Sequence, residues 1–339
     1  MKTSASRGAG ITTVASLAVL ALLGAPPHAS AQGRSPFVDY SDTGETVHVL
    51  PAPAAIHSPR DTGPTMAPPA EGAAVYSASY GSGNLRNHGG PVIGSAGFWA
   101  LYWNSSVATS TQTSLGYTTL AQQIDAFLTS FGNDTAYSST IATDDFSVVQ
   151  QYGAITSTVQ NFGYYVASER AKSSISDSGI RNFIAGVLNS GKVNVDTNII
   201  YGVYMPAGMK VTMSGGASCS TFCGYHGHFN YGGLDIRYAV FPYLNCSACK
   251  LSNLSVADMM TIVASHEIRE AVTDPQLNAW YDRQGAENSD KCAWTFSTGA
   301  GANNVSFGGT TWKIQGNFSN AAAGTKSGYD HVGCIDNKF

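Results

Sequence analysis

The sequence predicts an α+β domain: a mixed sheet, one helix carrying the chemistry, and a C-terminal region stapled by disulfides. Three observations lead there. Short apolar runs bounded by Gly, Asn and Pro alternate irregularly with amphipathic stretches, which suits segregated strands and helices rather than a repeating unit. One helical stretch, residues 255–274, carries His266, Glu267 and Glu270. The six cysteines, Cys219, Cys223, Cys246, Cys249, Cys292 and Cys334, all lie towards the C-terminal end.

Residues 1–31 have the pattern of a secretory signal peptide. Lys2 and Arg7 precede the apolar run Ile11 to Gly24, and Ala29-Ser30-Ala31 offers a cleavage site before Gln32. The run is too short to span a bilayer comfortably, and no later stretch is apolar enough to do so. Residues 32–84 are rich in Pro, Ala, Gly and Ser, and read as a flexible or extended leader or propeptide. The folded domain is expected over 85–339.

Within it, Phe98 to Trp103 reads as a buried strand, and Leu120, Ile124, Phe127, Leu128 and Phe131 place a helix that stops at Gly132-Asn133. Phe146 to Tyr152 reads as a strand. Ile175 to Leu188 reads as a second amphipathic helix, and Asn198 to Met205 as a strand ending at Pro206. Residues 214–234, rich in Gly and Cys, read as a stapled loop, followed by a short strand over Tyr238 to Tyr243. The third helix is the clearest. Ser255 with Asp258 three residues on resembles a capping box, and such a cap contributes about 1 kcal/mol. Pro275 stops the helix.

Charged residues make up 12% of the 339 positions, and the net charge is −4. That balance lacks the basic surplus of a nucleic-acid binder. An even cysteine count behind a signal peptide reads as three disulfides, of which Cys292–Cys334 is the best single pairing. Closing that loop would stabilise the fold by about 4 kcal/mol in the chain-entropy model. Cys219-x3-Cys223 with Cys246-x2-Cys249 could instead form a four-thiolate zinc site.

His266 and Glu270 at i and i+4 project from one helix face, the geometry of the first two ligands in zinc peptidases, with Glu in place of the second His of H-E-x-x-H. A third ligand is expected from Glu287, Asp290 or His226. Glu267, just off the ligand face, is placed to act as general base on a metal-bound water. Zn2+ suits that reaction. One His with two carboxylates is a harder donor set, which opens Mn2+ or Ca2+ as alternatives. Asp282, Glu287 and Asp290 together admit a calcium reading. His228 and His88 read as loop residues, and no G-x-S-x-G nucleophile elbow is present.

Several motifs in order resemble the EXORDIUM, or phosphate-induced, family of secreted proteins. They are His88-Gly89-Gly90-Pro91-Val92 before an aromatic strand, Cys223-Gly224-Tyr225-His226, and Ser265-His266-Glu267-Ile268-Arg269-Glu270-Ala271. Asp274-Pro275, Asn278-Ala279-Trp280-Tyr281, and Glu287 with Asp290-Lys291-Cys292 follow, and Cys334 sits where that family's last cysteine falls. The resemblance runs from about residue 85 to the end. Two features depart from it: Asp274 replaces the usual Asn, and Cys246-x2-Cys249 is shorter than usual. The resemblance implies an extracellular protein associated with cell walls, and does not itself imply an activity.

The sequence therefore predicts a secreted, zincin-like single domain, a metal-dependent and peptidase-like hydrolase acting on a peptide or on cell-wall or matrix material. The alternative is a noncatalytic extracellular binding or signalling protein, for which the 11% of aromatic residues would supply stacking surfaces.

Overall fold

A computed structural model describes Met1 and residues 35–56, 75–77, 80–81, 83–131, 148–156, 158–296, 303–307, 309–323 and 332–335. Residues 35–339 form one compact unit. Residues 2–31 of the expected signal peptide lie outside the described residues.

The domain is built on seven strands: β1 (Val38–Tyr40), β2 (Thr46–Pro51), β3 (Ala96–Tyr102), β4 (Val159–Val166), β5 (Ile199–Tyr204), β6 (Phe222–Tyr231) and β7 (Leu234–Phe241). They lie in the order β1-β2-β6-β7-β5-β3-β4. The sheet is mixed. β7, β5, β3 and β4 run parallel to one another, whereas β1, β2, β6 and β7 pair antiparallel. β5 is buried along its whole length, as its apolar run Ile199-Ile200-Tyr201 anticipates for a strand covered on both faces.

Three longer helices cover the two faces. α1 (Leu120–Ser130) and α3 (Val256–Thr273) share one core with Phe98, Ile200, Tyr204 and Phe241. α2 (Asp177–Asn189) packs Ile180, Ile184 and Val187 against Leu101, Tyr201, Val203 and Val240 on the other face. Each helix starts where a hydroxyl caps it: Thr119 accepts from Gln122 N, Ser176 from Gly179 N, and Ser255 from Asp258 N in a complete capping box. α3 ends at Thr273, with Asp274 as its C-cap before Pro275. Every residue of α3 is buried. The sheet lies on one side of it. On the other runs a hairpin of β8 (Asn303–Phe307) and β9 (Thr310–Ile314), to which Thr261 Oγ1 donates at Lys313 O (2.7 Å).

Three disulfides close the described part: Cys219–Cys246, Cys223–Cys249 and Cys292–Cys334. The last is the pairing expected. The first two consume all four thiols of the suggested zinc quartet, so that alternative falls. Three disulfides fit an oxidising, extracellular compartment. Among the described residues no helix is long and apolar enough to cross a membrane.

The structure departs from the sequence reading at three further places. Residues 35–51, expected to belong to a leader, supply β1 and β2; Val47 and Val49 enter the α2-side core and Leu50 the α3-side core. Residues 148–151 are a short helix rather than a strand, and Phe146 lies outside the described residues. Residues 222–231, read as loop, are the ten-residue β6. Its glycines mark close approach rather than loop: a Cβ on Gly224 would lie 2.3 Å from Val263 Cγ1 on α3.

Candidate metal centre

Four pieces of chain converge beneath the sheet. α3 brings His266, Glu267 and Glu270, one turn apart on the side that faces β6. β6 brings His226, paired in register with His48 of β2, so both imidazoles point the same way. The segment after α3 brings Glu287 and Asp290. That segment is shaped by Asp282, whose Oδ1 accepts from Gln284 N and Ala286 N and whose Oδ2 pairs with buried Lys291 (3.2 Å). Cys292, two residues past Asp290, anchors it through its disulfide. Backbone contacts finish the placement: Asp290 N donates to Glu270 Oε1 (2.8 Å) and Glu287 N to Asp290 Oδ2 (3.0 Å).

All predicted site residues, His226, His266, Glu267, Glu270, Glu287 and Asp290, meet in this one cluster, and none is more than 1% exposed. His266 Nε2 lies 3.0 Å from Glu270 Oε2 and 3.5 Å from Asp290 Oδ1. His226 Nδ1 lies 3.2 Å from Glu267 Oε2 and 3.7 Å from Glu270 Oε2, and its Nε2 lies 3.6 Å from Glu287 Oε2. His48 Nδ1 lies 2.9 Å from Glu287 Oε1 and 3.7 Å from Asp290 Oδ2. Donors held at about 2.1 Å around a four-coordinate ion sit about 3.4 Å from one another, so the cluster has the spacing of a coordination shell.

The hydrogen bonds do not satisfy it. His48 Nδ1, His226 Nε2, His266 Nε2, Glu267 Oε1, both Glu287 oxygens and Asp290 Oδ1 are buried without a hydrogen-bond partner. Buried polar atoms are normally paired, because each orphan costs about 1–3 kcal/mol. Electrostatics tell the same story. Burial drives the Glu267 and Glu287 carboxyls well above their usual range and raises Glu270, with Asp290 adding to the last. Burial also opposes charge on His48 and His266, yet Glu287 beside the first and Glu270 beside the second hold both imidazoles well above their usual pKa. Asp290 is lowered despite burial by the imidazoles of His266 and His48 beside it. His226 is pushed well below by burial and by the His48, His266 and His228 imidazoles. A neutral His226 that donates from Nδ1 to Glu267 turns the lone pair of Nε2 towards Glu287 Oε2. Two electron-rich atoms facing each other at 3.6 Å leave a place for a cation. A carboxylate that fixes the ring proton on the far nitrogen is the usual support of a ligating histidine.

His266 is steadied by Gln315, whose Nε2 lies 2.8 Å from Nδ1 and donates to Ser289 O (2.9 Å), while Trp294 N donates to its Oε1 (3.2 Å). A metal on His266 Nε2 puts the ring proton on Nδ1, which requires the Gln315 amide to turn its oxygen to the ring. That turn breaks the Gln315 bonds to Ser289 O and from Trp294 N.

No family model, curated protein or solved structure matches the chain.

The other candidates lie elsewhere. His228 pairs with Asp235 (2.6 Å), and His88 stacks on Tyr281 with ring centroids 3.7 Å apart. The calcium reading loses Asp282, whose oxygens are committed to its own turn and to Lys291. Sequence reasoning missed His48, for which the alternation Val47-His48-Val49 was the available signal, and Gln315, for which there was none. His48 itself is 6% exposed.

Proposed function

We propose that the protein is a secreted, metal-dependent hydrolase of peptide bonds. The observation that carries the reading is the convergence of buried, unpartnered imidazole and carboxylate atoms at coordination spacing. His266 Nε2, Glu270 Oε2 and Asp290 Oδ1 would hold the cation, with Zn2+ the first candidate and Mn2+ or Ca2+ favoured by the carboxylate-rich set. The bound cation would lower the pKa of a coordinated water to about 7. Glu267 holds His226 through Oε2 and keeps Oε1 free to take a proton. The resemblance to the EXORDIUM family supports extracellular placement and the shared His-Glu helix.

The test is Glu267→Gln on the secreted chain, with metal content and cleavage of a peptide library read together. The expected result is retained metal and turnover reduced by about 10²–10⁴-fold. Unchanged turnover would remove Glu267 as the base.

One observation favours a second reading. Every member of the cluster is buried, His48 the most exposed at 6%. Such a centre suits a structural cation in a noncatalytic extracellular binding protein. In that case the library shows no cleavage by the wild type, and metal removal still unfolds the domain.

A further inference from the structure

We infer that the cluster holds two divalent cations, the second bound by His48, His226 and Glu287, with Asp290 bridging it to the first. The inference rests on the cation-binding part of the proposed function and adds a site that the His-Glu helix does not contain.

The donors divide into two sets. Around His266 Nε2 lie Glu270 Oε2 (3.0 Å) and Asp290 Oδ1 (3.5 Å). Around Glu287 lie His48 Nδ1, 2.9 Å from its Oε1, and His226 Nε2, 3.6 Å from its Oε2. The second set is made of atoms without hydrogen-bond partners: His48 Nδ1, His226 Nε2 and both Glu287 oxygens. A single ion at His266 leaves His226 Nε2 facing Glu287 Oε2 with nothing between them. Asp290 belongs to both sets, because its Oδ1 faces His266 and its Oδ2 lies 3.7 Å from His48 Nδ1. A carboxylate with one oxygen towards each of two imidazoles is the arrangement that bridges paired ions, which sit about 3.5–4 Å apart in two-metal hydrolases.

The second position also has its histidine prepared: Glu267 engages His226 Nδ1 (3.2 Å), which leaves Nε2 as the ligating nitrogen. His48 arrives on the edge hairpin β1–β2, outside the part of the chain that carries the family resemblance.

The experiment is metal stoichiometry on the full secreted chain, purified without chelators and reloaded with Mn2+ alone. Two ions per chain are expected in the wild type and one in His48→Ala. One ion in the wild type overturns the second site and leaves the proposed function standing; none overturns both. A His48→Ala variant that keeps two ions also overturns it. Should that variant not fold, electron paramagnetic resonance of the unmodified protein decides. The first equivalent of Mn2+ should give an isolated six-line spectrum, and the second should replace it with an exchange-coupled one. A second equivalent that only adds six-line signal excludes the bridged pair.

Discussion

Two neighbours on β6 meet opposite environments. Tyr225 points to the α2 side and donates to Asp177 Oδ1 (2.8 Å), as does Tyr238 (2.7 Å), while Arg181 Nε lies 3.0 Å from Asp177 Oδ2. That buried carboxylate has two hydroxyl donors on one oxygen and a guanidinium beside the other. His226, one residue on, points to the α3 side and joins Glu267, Glu270, Glu287 and Asp290, whose free oxygens and ring nitrogens have no such partners. Burial is alike on the two faces; the balance of donors and acceptors is not. Asp177 is one carboxylate among two hydroxyls and a guanidinium, whereas four carboxylates share three imidazoles on the other face, the imbalance that the proposed cation would relieve.

The largest effect should come from removing that cation. A ligand present at a thousandfold excess over its dissociation constant stabilises the native state by about 4 kcal/mol. Chelation should therefore lower the melting temperature by on the order of 10 °C in the wild type and by clearly less in His266→Ala. Equal shifts in both proteins would place the effect of the chelator outside this cluster.

Next come the two glycines of β6, which face opposite sides. A Cβ on Gly224 would sit 2.3 Å from Val263 Cγ1 and 2.9 Å from Glu267 Oε1, so α3 or its carboxylate must move. A Cβ on Gly227 would meet Tyr238 Oη at 3.0 Å on the Asp177 side, a contact that a shift of a few tenths of an ångström relieves. Gly224→Ala should cost about 1–3 kcal/mol by overpacking and weaken metal binding. Gly227→Ala should cost less and leave metal affinity unchanged. Denaturant unfolding with metal titration separates them, and a Gly224→Ala protein with native metal affinity would mean that α3 is free to retreat.

How much of this was readable beforehand depended on whether the chemistry lay in one stretch of chain. The α3 segment announced itself because capping box, ligands and terminating proline follow one another within a single helix. Glu287 and Asp290 were legible through a motif of types, although only the Asp282 turn and the Cys292 anchor explain why they fold back under α3. β6 was misread because Gly224 and Gly227 resemble loop residues until the neighbours that exclude a side chain are known. His48 was lost for a different reason. Its strand ends in Pro51 with Pro53 beyond, and its partner strand lies far along the chain, so the pairing of His48 with His226 is a tertiary fact with almost no local trace. The helix over 148–151 was misread because Val148 and Val149 are buried in either form.

The smallest effect tests the satisfied face. Burial raises Asp177 above its ordinary value of about 3.9, and the bonds from Tyr238 and Tyr225 only partly offset it. The native state therefore keeps the Asp177 proton to a higher pH than the unfolded chain does. Above the ordinary aspartate value it binds more protons than the unfolded state, so this group's contribution to stability falls as pH rises through the window between the unfolded and folded values. Glu45 acts in the opposite sense: the Arg181 bond holds it far below the usual carboxylate range, so its contribution is present above the unfolded glutamate value and is lost as pH falls through the folded one. Asp177→Asn should remove the falling limb and leave the rising one, with no change in metal content. Denaturant unfolding from about pH 3 to pH 6 reads both slopes. A variant whose profile overlays the wild type would show that the tyrosines and Arg181 already hold Asp177 at its ordinary value, and the satisfied face would then be more complete than its burial suggests.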